Sequence, residues 1–274
     1  MIAFFKDIAQ MFKNAYVILA NSGKYILLVL LIIGIPRVAI VVFRPGALVF
    51  PIEELISMRI DDLFTLIVPL SVNLAFMILG NLIVMGLMII SRKTIDGDDI
   101  YLSDVLKNTF CKFPVLIATM IMFYILLVIY SAVVFSSLIF SPFILLISLP
   151  FTLLVAVALA CMALFFPMII ADRGEWGITS FKRAVRIVFH DAEGWGYLAQ
   201  CIKMIILFLI WGIIPALLTR ALLHVLTSVI YIIPSLATLL AGLAVLQIIL
   251  ELFMAYVTIS MIMYYAQLDY DYSD

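Results

Sequence analysis

FILLISLPFTLLVAVALACMALFFPMII, Phe143 to Ile170, runs without one charged side chain. It exceeds the ~20 residues that a helix needs to cross ~30 Å of hydrocarbon. Its reading as a membrane-crossing helix decides the rest. Five comparable runs surround it: Tyr25–Phe43, Leu63–Ile90, Phe113–Phe140, Tyr197–Leu218 and Ser235–Gln267. Of the 274 residues, 67% are apolar and 12% charged, against roughly 45–50% and 25% in soluble domains. A water-soluble fold could not hide that much apolar surface. The pattern predicts an all-α membrane helix bundle of about six spans, as a single membrane domain over residues 1–274.

Net charge is −1, which provides no basic field for nucleic acid. Cys111, Cys161 and Cys201 are far apart and form neither a CxxC motif nor a disulfide framework. Met1 to Asn21 carries charges throughout, so it does not read as a cleavable signal. Between the third and fourth runs stands little more than Ser141-Pro142, which predicts a tight helical hairpin.

Orientation follows from Lys and Arg, which are retained on the cytoplasmic side. With the N-terminus inside, the inner flanks carry Lys6, Lys13, Lys24, Arg92, Lys93, Lys107, Lys112, Arg173, Lys182, Arg183, Arg186 and Lys203. The outer flanks carry Arg37, Arg44, Arg59 and Arg220. Twelve against four places both termini in the cytoplasm and the chain in a cell (inner) membrane. Trp176, Trp195, Tyr197, Tyr264 and Tyr265 fall at the expected inner aromatic belt.

One unit recurs three times, over residues 1–91, 100–170 and 177–267: a short amphipathic helix followed by two spans. The first helix sets Phe5, Ile8, Ala9, Phe12, Ala15, Tyr16 and Leu19 opposite Lys6, Gln10, Lys13 and Asn14. The second sets Leu102, Val105, Leu106 and Phe110 on one face, with Ser103 as N-cap and Asp104 at the first helical position. The third sets Phe181, Ala184, Val185 and Val188 opposite Lys182, Arg183, Arg186 and His190. Such helices lie in the interface, with apolar faces in the bilayer and Lys6, Lys13, Lys107, Lys182, Arg183 and Arg186 toward anionic headgroups. Docking of a cytoplasmic protein partner is the second reading of these helices. Gly34-Ile35-Pro36-Arg37 and Gly212-Ile213-Ile214-Pro215 strengthen the repetition.

Glu251 lies mid-span in the last run, where a central charge costs ~2.5–3.5 kcal/mol by insertion scales. It requires a partner, and Arg37 falls at a similar height, roughly 20 Å from the inner helix ends. Asn73, Asn81 and Gln247 add polar groups at membrane depth. Gly80, Gly86 and the alanine rows 156/160/163 and 237/241/244 allow close helix approach. Pro36, Pro69, Pro150, Pro167 and Pro215 lie in or at the ends of apolar runs, where each frees a backbone carbonyl.

No HExxH, Walker A, GxGxxG or GxSxG motif occurs, and nothing calls for a cofactor. His190 and His224 are expected on opposite sides of the membrane, which leaves no histidine metal centre. Asp96-Gly97-Asp98-Asp99 reads as turn chemistry.

Gly86 to Arg92, Leu102-Ser103-Asp104-Val105-Leu106, Phe166 to Asp172, Gly177 to Ala184 and Tyr264-Tyr265 together resemble a bacterial and archaeal family. This is the membrane domain attached to some glycerophosphodiester phosphodiesterases, together with its stand-alone inner-membrane relatives. The likeness covers most of the chain, through motifs at helix starts and membrane boundaries. It implies a multi-span module concerned with lipids or envelope upkeep. The catalytic barrel would need about 250 further residues, so no phosphodiesterase activity is carried over. The leading expectation is a non-enzymatic scaffold or accessory subunit. A transporter of a small or lipid-like solute using Arg37 and Glu251 is second, and a membrane enzyme using Asp96 to Asp99 third.

Overall fold

Every element is helical in the computed structural model, which describes residues 2–43, 63–140, 142–189, 196–214, 217–218, 221 and 236–273. Some side chains inside these helices, those of Asn73 and Gln247 among them, lie outside the description. In chain order the helices are α1 (Ile2–Phe43), α2 (Leu63–Asp96), α3 (Leu102–Cys111), α4 (Phe113–Phe140), α5 (Pro142–Arg173), α6 (Gly177–Phe189), α7 (Gly196–Phe208) and α8 (Leu236–Ser273). A π-helical turn, Leu209–Ile213, continues α7.

Five helices hold stretches long and apolar enough to cross a membrane: Lys6–Arg37, Leu74–Asp96, Phe113–Val134, Thr152–Arg173 and Ile248–Leu268. In lipid every backbone N–H and C=O must find its partner within the chain, and a helix satisfies them internally. The expected fifth run, Tyr197–Leu218, is described only in part, as the shorter apolar helix Ala199–Trp211. His190, His224, Arg44, Arg59, Arg220, Trp195 and Pro215 lie outside the described residues.

Because lipid is as apolar as leucine, close packing must hold such a bundle together. The span of α5 is its centre, with 67% of the stretch buried, and that of α4 its periphery, with 11%. Only residue 141 separates α4 from α5, and Pro142 at the first helical position lacks an N–H that would have gone unpaired there. The two helices form the expected hairpin: Phe123 stacks on Phe166 at 6.2 Å, and Tyr130 Oη donates to the Thr152 carbonyl at 3.4 Å.

Helices α1 and α2 run antiparallel, joined by Ser22 Oγ and Thr94 Oγ1 at 2.7 Å and by Val29 against Gly86. A Cβ on Gly86 would come within 3.0 Å of Val29 Cγ1, so glycine sets this approach. Helix α1 is not straight. Phe12 O accepts from Tyr256 Oη, while Arg37 reaches Glu251. A straight helix would hold Phe12 and Arg37 about 37 Å apart, beyond what the side chains of Arg37, Glu251 and Tyr256 and the short step from Glu251 to Tyr256 bridge in packed geometry. Ser22-Gly23 in that interval is the kind of pair at which helices kink.

The three amphipathic helices differ from expectation in what their apolar faces meet. The first is not separate: it is the N-terminal part of α1, and Ile8, Met11, Ala15 and Ile18 are buried. Ala9 and Tyr16, expected on that face, are exposed. In α3, Val105 and Thr109 are buried and Phe110 is half exposed; in α6, Ser180, Ala184, Ile187 and Val188 are buried. These faces are therefore covered by protein. Burial at about every third or fourth residue continues through α1 as Ser22, Ile26, Val29 and Ile33, so one stripe serves both parts of that helix.

Local chemistry corrects two further expectations. The N-cap of α3 is Tyr101, extended at φ −106 and ψ 121, without a side-chain cap bond. Its carbonyl accepts from Asp104 N and Val105 N, each at 3.1 Å. Ser103 is thus already helical and Asp104 is the third helical residue, because Leu102 packs on the core from within the helix. Tyr265 is fully buried rather than part of an aromatic belt. Asp96 to Asp99 do form a turn, closed by Asp98 N on the Lys93 carbonyl at 2.9 Å with Gly97 at φ +76, a conformation glycine adopts without strain.

Candidate functional site

Arg37 and Glu251 meet inside the bundle. Arg37 Nη1 lies 2.9 Å from Glu251 Oε2, with the side chains 17% and 8% exposed. Pro36 precedes Arg37 without interrupting α1. The guanidinium lies over the Phe76 ring, Cζ 4.0 Å from the centroid. A Cβ on Gly80 would stand 3.6 Å from that Cζ, so α2 offers the cation a flat bed of one aromatic face and one glycine. Neither Phe76 nor Gly80 stands out in sequence as a partner for charge. Arg37 Nε is buried and has no hydrogen-bond partner among the described residues.

Two opposite charges at 2.9 Å in a low-dielectric interior attract strongly, and each relieves the other's desolvation. The pair joins the first and last described helices. Other expected members do not gather around it. Asn81 donates from Nδ2 to Met120 Sδ at 3.6 Å, tying α2 to α4. Of Asn73 and Gln247 only the positions on α2 and α8 are described.

A second charged group lies where α2 and α5 end. Asp172, 10% exposed, has Arg92 Nε at 3.6 Å and Arg173 Nε at 3.4 Å, and Tyr265 Oη donates to it at 3.4 Å. Lys112, at the start of α4, donates to the neighbouring Ala171 carbonyl. Burial pushes the Lys112 amine below its ordinary value, and the Asp172 charge opposes that shift. In the sequence these cations count only as flanking charges, so their convergence on one carboxylate is not visible there.

The cations of the amphipathic helices divide. Lys6, Lys13, Lys107, Lys182 and Arg186 are exposed. Arg183 differs from expectation, since its Nη1 pairs with Glu175 Oε1 at 3.0 Å. Glu175 lies in the turn before α6, within the reach of one long side chain. Deeper in the bundle, Trp211 in the π-turn donates Nε1–H to Ser260 Oγ at 2.8 Å, and Ser260 in turn donates to the Val257 carbonyl at 2.7 Å. π-turns recur at functional sites. Of the two Gly–Pro stretches, residues 34–37 lie in regular helix, while Gly212 and Ile213 fall in the π-turn.

Fold and site define a class: among the described residues every element is helical, five helices are long and apolar enough to cross a membrane, and a charge pair lies buried among them. Comparison with protein-family models, curated proteins and solved structures finds no match.

Proposed function

We propose that this chain is a non-enzymatic membrane module, a scaffold or accessory subunit of a membrane assembly, in which Arg37–Glu251 is a clamp between the first and last spans. The observation that carries the reading is cancellation of the buried charge within the chain. Nη1 and Oε2 are in contact, and Phe76 and Gly80 pack on the cation. A site that carries a charged solute or a proton has to open such a pair; a clamp keeps it closed. At the periphery α4 leaves Ile121, Ile125, Val128, Ile129 and Val133 exposed, a wall for lipid or for a partner helix.

In this reading the chain crosses a cell membrane six times in three pairs, with both termini cytoplasmic, on the strength of the Lys and Arg bias. The exposed lysines and Arg186 face anionic headgroups. The reading also agrees with kinship to the membrane domain of glycerophosphodiester phosphodiesterases, without their catalysis.

Photo-crosslinking from Ile125 and Val128 in native membranes tests it. A discrete protein adduct, absent when the crosslinker stands at buried Met120, is expected. Lipid adducts alone, with a lone monomer in mild detergent, would overturn it.

A second reading is transport of a small or lipid-like solute at the same pair. Arg37 Nε, buried and without a hydrogen-bond partner among the described residues, favours it, since that N–H has room for one more acceptor. If Glu251→Gln folds normally and abolishes an uptake or efflux phenotype, transport replaces the clamp.

A further inference from the structure

We propose that Met77 and Tyr124 form a peroxide-reducing pair open to the bilayer, in which the Met77 sulfur takes one oxygen from a lipid hydroperoxide and Tyr124 relays the proton. Of the methionines whose surroundings are described, Met77 alone is exposed, at 45%, whereas Met120 on the facing helix is 3% exposed. Met77 and Tyr124 lie in stretches of membrane-crossing length, Leu74–Asp96 of α2 and Phe113–Val134 of α4. Leu74 and Ile121, about one turn earlier on the same helices, are exposed as well, so the sulfur opens on a face that acyl chains cover. Tyr124 Oη donates to Met77 Sδ at 2.7 Å. The phenol occupies one lone pair of the thioether, a weak acceptor, and leaves the other for chemistry.

Oxygen transfer to a thioether needs a proton carrier. The sulfur attacks the terminal oxygen of R–O–OH, the S–O bond forms as the O–O bond breaks, and two electrons pass from sulfur to peroxide. The proton on the attacked oxygen then has to reach the departing alkoxide. Hydrocarbon holds no water to carry it. Tyr124 gives its hydroxyl proton to the alkoxide and takes back the proton of the attacked oxygen. The products are the lipid alcohol and methionine sulfoxide, the reversible step of methionine oxidation, with the phenol unchanged. Met120 supplies an internal contrast: its sulfur accepts from Asn81 Nδ2 at 3.6 Å in the α2–α4 contact, but it is buried and its donor is an amide, which does not give up a proton.

The inference rests on the membrane reading, which incorporation into a bilayer tests separately, and not on the clamp, because Arg37 and Glu251 stay untouched. The full chain in phosphatidylcholine nanodiscs is exposed to phosphatidylcholine hydroperoxide, and sulfoxide at each methionine is followed by peptide mass spectrometry. Met77 is expected to oxidise ahead of half-buried Met122 and Met254, with Met120 protected. Tyr124→Phe should slow oxidation of Met77 at least about tenfold, a conservative share of the ~10²–10⁴-fold that a positioned proton donor contributes. A merely structural hydrogen bond predicts the reverse, since its loss frees the sulfur. Oxidation of Met122 or Met254 ahead of Met77 would overturn the proposal, and that order is read in wild type, whatever the folding of the variant. So would a Tyr124→Phe rate at Met77 equal to or above that of wild type.

Discussion

Trp211 and Ser260 show what one hydrogen bond holds at this depth. Trp211→Phe keeps the ring but removes the N–H that reaches Ser260 Oγ. The loss should be about 1 kcal/mol, a fall of roughly 2–4 °C in melting temperature for a chain of this size. Lys112 predicts a pH effect. Burial lowers its pKa in the folded state, so the unfolded chain binds more protons just below ~10.4, the ordinary lysine value. Stability therefore rises with pH across that alkaline interval, and Lys112→Met should flatten the rise in unfolding titrations. Legibility also varies residue by residue. Glu251 and Arg37 were conspicuous because charge is rare in apolar runs, and helical rise alone placed them at one height. Phe76 and Gly80 were not, since an apolar residue in an apolar helix gives no sign that it faces a cation. Asp172 was hidden among boundary charges whose convergence depends on how three helices end.

Helix α1 against α2 is the interface that can be tested most sharply. Ser22 and Thr94 oxygens stand 2.7 Å apart, so Ser22→Cys/Thr94→Cys, in a background without Cys111, Cys161 and Cys201, should form a disulfide on mild oxidation. Its absence in folded protein would contradict the register. Gly86→Val places methyls where Val29 Cγ1 already stands. Overpacking of this kind costs about 1–3 kcal/mol, and the same disulfide should then form less completely. The α4–α5 hairpin was legible from Ser141-Pro142, because proline at a helix start is a local signal. The amphipathic helices were legible as helices, while the matter their apolar faces touch was not. Periodicity identifies a face, but protein and lipid both accept it, and only tertiary packing decided for Ile8, Val105 and Ala184.

For the whole molecule the reading is a helix bundle with α5 central, α4 peripheral, and α1 joined to α8 by the Arg37–Glu251 pair and the Tyr256–Phe12 hydrogen bond. If the proposed topology holds, single cysteines placed at Lys6, Lys107 and Lys182 should all react from the cytoplasmic side and be protected from an impermeant reagent in intact cells. Labelling of any one from outside would break the threefold scheme. The clamp is tested most directly by a double-mutant cycle on unfolding free energy in mixed micelles. Arg37→Met and Glu251→Leu each remove one charge and leave the other without its counter-ion, and each should cost about 2.5–3.5 kcal/mol, the scale of a central charge in a span. The double variant removes both charges and should return to within about 1 kcal/mol of wild type. Additive losses, with the double variant the least stable of the three, would contradict the clamp.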